Sequence, residues 1–424
     1  MDNKILDSYF FILFSLIPAA IIFGPAISLI NILLIDFSFL FLMLYKKEYK
    51  FLSNRTVKLI LFFGIYLIFN SIASKDFSIG ALRNFGFVRF VILFCAFNYF
   101  FYYKIFFNKI FIVWSLTLFI LIIDVYIESL TGKNILGYGE LYLDGSKIYG
   151  QRIVSFFKDE AIAGGYVNAF YLIVVGYFFS LSDKFSRKYK YLILLLSIIF
   201  VLSIVLTGER SNTIKATFGL VIFYFINDHF KIKEKIISIL LFFIIIGSIV
   251  NSSAFLKMRY KGQFLEPILH IYNSEVKKVE NLRSSGFSIY YNLYQSGFYV
   301  FKKYPIFGVG NKNYRLETCA NNKEPNYVCS THPHQTYFEF ISEHGFVGTM
   351  ILLFLIFSLV FSKLKIIIKS KNYIQISCLI FLFISLMPFL PSGAFFGDYS
   401  FTIFWLNLSL MYAINKKTNI FSKN

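Results

Sequence analysis

Long apolar runs broken by short polar ones dominate this sequence. A helix rising about 1.5 Å per residue needs roughly 20 residues to cross about 30 Å of hydrocarbon. Twelve runs approach that length, near 9–24, 26–44, 57–73, 81–102, 110–128, 164–181, 191–207, 212–227, 236–250, 346–361, 373–389 and 400–415. Gly24-Pro25, a turn pair, separates the first two. Lys4 alone is basic ahead of the first run and no small-x-small site follows it, which favours a retained span over a cleaved signal peptide. Two long segments are left over, about 129–163 and 251–345. The pattern predicts an all-α polytopic membrane protein: one integral membrane domain over 1–424, about twelve transmembrane helices, and a large, partly helical loop between the ninth and tenth.

Composition narrows the classes. The chain is 57% hydrophobic and 15% charged, against about a quarter charged in soluble domains. That excludes a soluble enzyme, a disordered chain and a disulfide-rich secreted module. The net charge of +19 suggests nucleic acid until the charges are placed. With the N-terminus in the cytoplasm, clusters such as Lys46, Lys47, Lys50, Arg55 and Lys58, or Lys184, Arg187, Lys188 and Lys190, all fall on the cytoplasmic side. The short outer loops hold only Lys75 and Arg210. Most of the charge is therefore a topology signal. Both termini are expected in the cytoplasm and both long segments outside, where their basic residues suit an anionic substrate such as a phosphate or diphosphate. Of four cysteines, Cys95 and Cys378 lie in spans, whereas Cys319 and Cys329 lie in the long outer loop. There they either form a disulfide, as an oxidising compartment favours, or remain two thiols.

Chemistry concentrates in a few stretches. Three of five histidines fall within 330–345 (STHPHQTYFEFISEHG). Ser330 or Thr331 as cap, Pro333 in the first turn and Gly345 at the end predict a short amphipathic helix on the outer surface. His334 in its first turn would be held neutral by the helix's positive end and able to accept a proton; a capping surface histidine fits the same pattern. His332 with His334 also reads as half of a metal site, without a third ligand at usual spacing. Thr207-Gly208-Glu209-Arg210 puts a guanidinium at an outer mouth, either forked onto a phosphate or paired with Glu209; Lys215 follows in the same helix. Tyr304–Arg315 (YPIFGVGNKNYR) is a Pro/Gly turn that brings Arg315 towards the histidine stretch. Arg259, Arg283, Lys302 and Lys303 are further basic candidates in that loop. Arg152 precedes the sixth span. Arg83, Arg89, Asp124 and Glu128 are charges inside spans, which usually serve function; Arg83, Asp124, Glu128, Arg210 and Lys215 suggest a polar layer at the outer membrane face, or structural ion pairs. Internal repeats, Walker loops, zinc-finger spacings and nucleophile elbows are absent from the sequence.

TGER at 207–210, YPIFGVGNKNYR at 304–315 and STHPHQTYFEFISEHGFVG at 330–348, together with the span pattern, resemble the O-antigen ligase and polymerase superfamily. FFKDEAIAGGY at 157–166 is a weaker match. The resemblance implies a metal-independent, inverting glycosyltransferase of lipopolysaccharide biosynthesis, without cofactor, on the periplasmic face of the bacterial inner membrane. Its donor would be a glycan on undecaprenyl diphosphate. Its acceptor would be a sugar hydroxyl of lipid A–core for a ligase, or of another lipid-linked glycan for a polysaccharide polymerase. On this resemblance His334 takes the acceptor's proton and Arg210 engages the diphosphate. The family's second loop arginine is expected at Arg315 or, second, at Arg283, because Phe287–Tyr290 stands where it often lies. Arg152 and Lys215 join the diphosphate candidates, with Glu209, His332, Tyr337, Glu343, Arg83 and Arg89 in support and Cys319–Cys329 closing the loop. A transporter of an anionic solute is the alternative from another class; repeated halves, its usual mark, are missing.

Overall fold

The computed structural model describes residues 3–139, 142–143, 146–147, 152–158, 160–182, 186–265, 286–320 and 324–422. All twelve apolar runs are helical. The helices are α1 (Asn3–Ile22), α2 (Pro25–Lys46), α3 (Arg55–Ile72), α4 (Phe77–Phe85), α5 (Val88–Tyr103), α6 (Ile110–Thr131), α7 (Ala163–Leu181), α8 (Arg187–Leu206), α9 (Arg210–Ile226) and α10 (Ile232–Ser252). Then follow α11 (Ala254–Lys257), continued by a wide turn over Met258–Leu265, α12 (Gly286–Lys303), α13 (Tyr314–Ala320), α14 (Thr336–Phe361), α15 (Leu364–Ser370), α16 (Tyr373–Ser385) and α17 (Asp398–Ala413). Strand structure among the described residues is one two-residue antiparallel pair, Tyr142–Leu143 against Ser146–Lys147.

Nine stretches among the described residues are long and apolar enough to cross a membrane. The expected eighth, eleventh and twelfth spans are helices too, but α9, α16 and α17 have only 17, 13 and 16 residues. Two expected boundaries change. The fourth span is two helices, α4 and α5, joined at Gly86-Phe87. The histidine helix does not start at Ser330 or Thr331: Gln335 caps it, its side chain accepting from the Tyr337 and Phe338 N–H groups. Gly345, at φ 63° and ψ −168°, does interrupt it, so 336–344 and 346–361 are two helical pieces meeting at a kink.

The core centres on α7, apolar on every side as a fully surrounded helix must be, with α6, α8, α9 and α16 packed around it. Gly176 lets α16 approach closely, since a Cβ there would lie 2.6 Å from the Tyr373 carbonyl oxygen. By contrast, α10 leaves most of its apolar surface exposed, as a lipid-facing helix does. The N-terminal ends of α7 and α9, the turn after α11, the start of α12 and the loop between α16 and α17 meet at one end of this bundle.

Candidate functional site

The histidine segment is held from behind by the α16–α17 loop. Ser392 donates its N–H to the His334 carbonyl (2.9 Å), and its own carbonyl faces His332 Nε2 (3.4 Å). Thr336 Oγ1 meets Ser392 Oγ at 3.2 Å. One turn on, the buried Glu339 carboxylate accepts from the Phe395 N–H at 2.8 Å, pinning the same loop. His334 thus lies two residues ahead of the helix rather than in its first turn, with a left-handed backbone, φ 57°. Its ring stands 4.0 Å from His332 and 6.1 Å from Tyr290, centroid to centroid. Burial, with His332 beside it, pulls the His334 pKa from 6.5 to about 4. His332 is lowered to about 4 as well, by burial and by the Lys312 charge. Both imidazoles are neutral at neutral pH, and burial achieves what was expected of the helix end. Among the described residues no cluster of three His, Cys, Asp or Glu side chains is spaced to hold a metal ion.

Opposite the histidines stand three guanidinium groups. Arg210, first residue of α9, donates from Nη1 to the Gln263 carbonyl at 2.7 Å. Arg259 donates from Nε and Nη2 to the Gly208 carbonyl (3.2 and 3.1 Å) and from Nη1 to Gln263 Oε1 (2.8 Å). Arg152 is the third, close enough that its charge weighs on both others. Burial, then Arg210 and Arg152, pull the Arg259 pKa down to about 10. Like charges gathered this way are costly without an anion between them. Glu209 accepts from the Gly164 and Gly165 N–H groups (2.6 and 3.1 Å) and from Asn212 Nδ2 (2.6 Å), fastening the start of α7 to α9, and the Arg152 charge acts on it as well. Burial raises its pKa to about 7 despite those donors.

The long outer segments supply braces. Asp124 accepts from Ser155 Oγ (2.5 Å) and the Ile135 N–H (2.8 Å), and Glu128 accepts from the Val154 and Ser155 N–H groups (3.0 and 2.6 Å). These in-span carboxylates therefore anchor the strand of chain that carries Arg152. Arg83 and Arg89 both pair with Asp398, at 2.7 and 3.1 Å, structural ion pairs that tie α4 and α5 to the start of α17. Tyr337 donates to the Leu386 carbonyl at 2.7 Å. Glu343 is fully buried against the 308–314 turn, its carbonyl accepting from the Gly310 N–H (2.9 Å).

That turn explains its glycines. A Cβ on Gly308 would lie 2.4 Å from Glu343 backbone carbon, and one on Gly345 2.4 Å from Ile306 backbone atoms. Backbone meets backbone here, with Phe346 and Val347 N–H groups donating to the Pro305 and Ile306 carbonyls at 2.7 and 3.1 Å. The motif locks the kink in α14; it does not deliver Arg315. Tyr314, Glu317 and Thr318 form the buried face of α13 and Arg315 points outward, exposed and away from the cavity. Arg283 lies outside the described residues. Arg259 is the loop arginine that joins Arg210, reaching it through the turn after α11 that the apolar pattern left unread. Cys319 and Cys329 are joined in a disulfide. It ties α13 to the Tyr327–Cys329 strand, where Tyr327 donates to Glu317 (3.1 Å) alongside Lys303 (2.9 Å) and Lys75.

These groups line one cavity of about 560 Å³: Arg152, Glu209, Arg210, Lys215, Arg259, Tyr290, Tyr294, His334, Ser392 and Tyr399 all face it. Residues 193–354 match the O-antigen ligase family, Wzy_C. The match bears out the resemblance to the O-antigen ligase and polymerase superfamily. It spans Arg210, Lys215, Arg259, Glu343 and His334, whereas Arg152, Ser392 and Tyr399 lie outside the O-antigen ligase segment. No curated protein matches the chain. The family points to a multi-pass membrane protein with a glycan-transfer role in lipopolysaccharide or polysaccharide synthesis, acting on lipid-linked glycans.

Proposed function

We propose that the protein is an inverting glycosyltransferase of the O-antigen ligase type. It moves a glycan from undecaprenyl diphosphate to a sugar hydroxyl of lipid A–core, on the periplasmic face of the inner membrane. One observation carries the reading: a neutral buried imidazole and three guanidinium groups line a single cavity.

The chemistry uses each group once. Arg210, Arg259 and Arg152 bind the diphosphate, their forks matching phosphate oxygens. The acceptor hydroxyl gives its proton to His334 while its oxygen bonds the anomeric carbon from the face opposite the diphosphate. The bond from that carbon to the phosphate oxygen breaks, its electron pair stays on the phosphate, and the centre inverts. Fixed cations stabilise the departing charge without reorganising. General-base help is worth roughly 10²–10⁴-fold. Tyr290 and Tyr294 give the sugar aromatic faces to rest on.

A deletion strain tests this directly. Bare lipid A–core with accumulated polyprenyl-linked polymer is the expected phenotype, restored by the wild-type chain and not by His334→Ala at equal protein level. Core bearing a single repeat unit would instead identify a polymerase, and normal surface polysaccharide would remove the reading.

A further inference from the structure

Two polar side chains of the cavity, Lys215 and Tyr399, make no hydrogen bond among the described residues. Lys215 sits on α9 five residues beyond Arg210, about 7.5 Å further along the axis. It is 7% exposed, lines the cavity and makes no hydrogen bond or ion pair there. Lys215 and Arg210 line the same cavity, Lys215 the deeper of the two along α9. Asn168 Oδ1, on α7, and the Tyr399 hydroxyl, on α17, are buried without a hydrogen-bond partner, and both residues line the same cavity. Gly165 leaves the space for that hydroxyl, which would stand 3.6 Å from a Cβ at this position.

Orphaned buried polar atoms and an unpaired buried cation each cost free energy that a ligand recovers. Among the described residues the cavity's cations are Arg152, Arg210, Lys215 and Arg259, against one carboxylate, Glu209, which accepts from α7 and Asn212 and feels the Arg152 charge. We propose that Lys215, with the Tyr399 hydroxyl, forms a second anion subsite that takes one phosphate of the diphosphate while the arginines take the other. The inference rests on the glycan-transfer reading above and adds which groups distinguish two phosphates from one. It has a chemical consequence. Breaking the sugar–phosphate bond leaves the diphosphate with one more negative charge than the donor carried, so this subsite binds the departing group more tightly than the donor and aids its departure.

Purified full-length protein in lipid nanodiscs is titrated with farnesyl diphosphate and farnesyl monophosphate. The wild type is expected to prefer the diphosphate by about tenfold or more, as one charge-assisted contact provides. Lys215→Gln is expected to lose that preference while still binding the monophosphate, and Arg210→Gln to weaken both ligands. Tyr399→Phe removes an oxygen that has no partner in the empty protein, so it keeps thermal stability, yet it is expected to cut the preference several-fold. An undiminished preference in Lys215→Gln and in Tyr399→Phe overturns the subsite alone. A wild type that binds neither ligand overturns the diphosphate reading beneath it.

Discussion

At the scale of single residues, burial sets the candidate site apart. His334 is buried enough that its pKa falls to about 4, so the base stays unprotonated well into acid. The pH–rate profile of the purified transferase is expected to stay level from neutral pH to about pH 5 and to fall as pH drops through about 4; an ordinary histidine base would fade near 6.5. The unfolded chain binds that proton more readily, so this histidine also lowers stability as pH falls from 6.5 towards 4. Its left-handed backbone decides which variant isolates the ring chemistry. His334→Asn accepts φ 57° where other side chains are strained, and is expected to lose roughly 10²–10⁴ of the rate while keeping the protein's melting temperature. Arg210→Lys is expected to cost about 10²-fold, because a point charge does not copy a fork, whereas Arg315→Ala, on the outer face of α13, leaves the rate unchanged. Rates from membranes carrying each variant check all three.

Elements explain what the sequence made legible. Hydrophobic runs are a strong signal, and every one of the twelve became a helix. Motif spacing was legible too: the histidine stretch and TGER reach the site, and the PxxGxG turn locks the kink behind it. What they do there was less so. Ser330, Thr331 and Pro333 looked like a helix start, yet Gln335 caps the helix because the α16–α17 loop, through Ser392, holds the chain out of the helix up to that point, with His334 left-handed. Such a long-range clamp leaves no local mark. Arg259 was one basic residue among several until the turn after α11 folded it against Gly208. Arg315 read as convergent from its place beside the turn, but a helix face, not proximity in sequence, decides direction. The GxG turn itself yields a sharp expectation. Gly308→Ala adds a Cβ 2.4 Å from backbone at φ +70°, and is expected to cost several kcal/mol and most of the activity, read as a lowered melting temperature in detergent. Replacing Cys319 and Cys329 by serine is expected to cost about 2–4 kcal/mol, with non-reducing mobility in gels reporting the bond.

On the scale of the whole molecule, sidedness is the main expectation left to measurement. Arg315→Cys is expected to react with a membrane-impermeant maleimide applied to cells with a permeabilised outer membrane, and Lys233→Cys to react only after lysis. Equal labelling would reverse the orientation argued from the lysine and arginine distribution. The cavity wall is assembled from all over the chain: Arg152 ahead of α7, Arg210 and Arg259 in the middle, His334 before α14, Ser392 and Tyr399 around α17. This has a consequence for evolution and for engineering. The candidate base His334 and two of the arginines fall inside the stretch that matches the family, while Arg152, Ser392 and Tyr399 are encoded upstream and downstream of it. Swapping that stretch between relatives would transplant reagents without their vessel, so donor or acceptor preference is better exchanged by grafting walls than by moving the stretch.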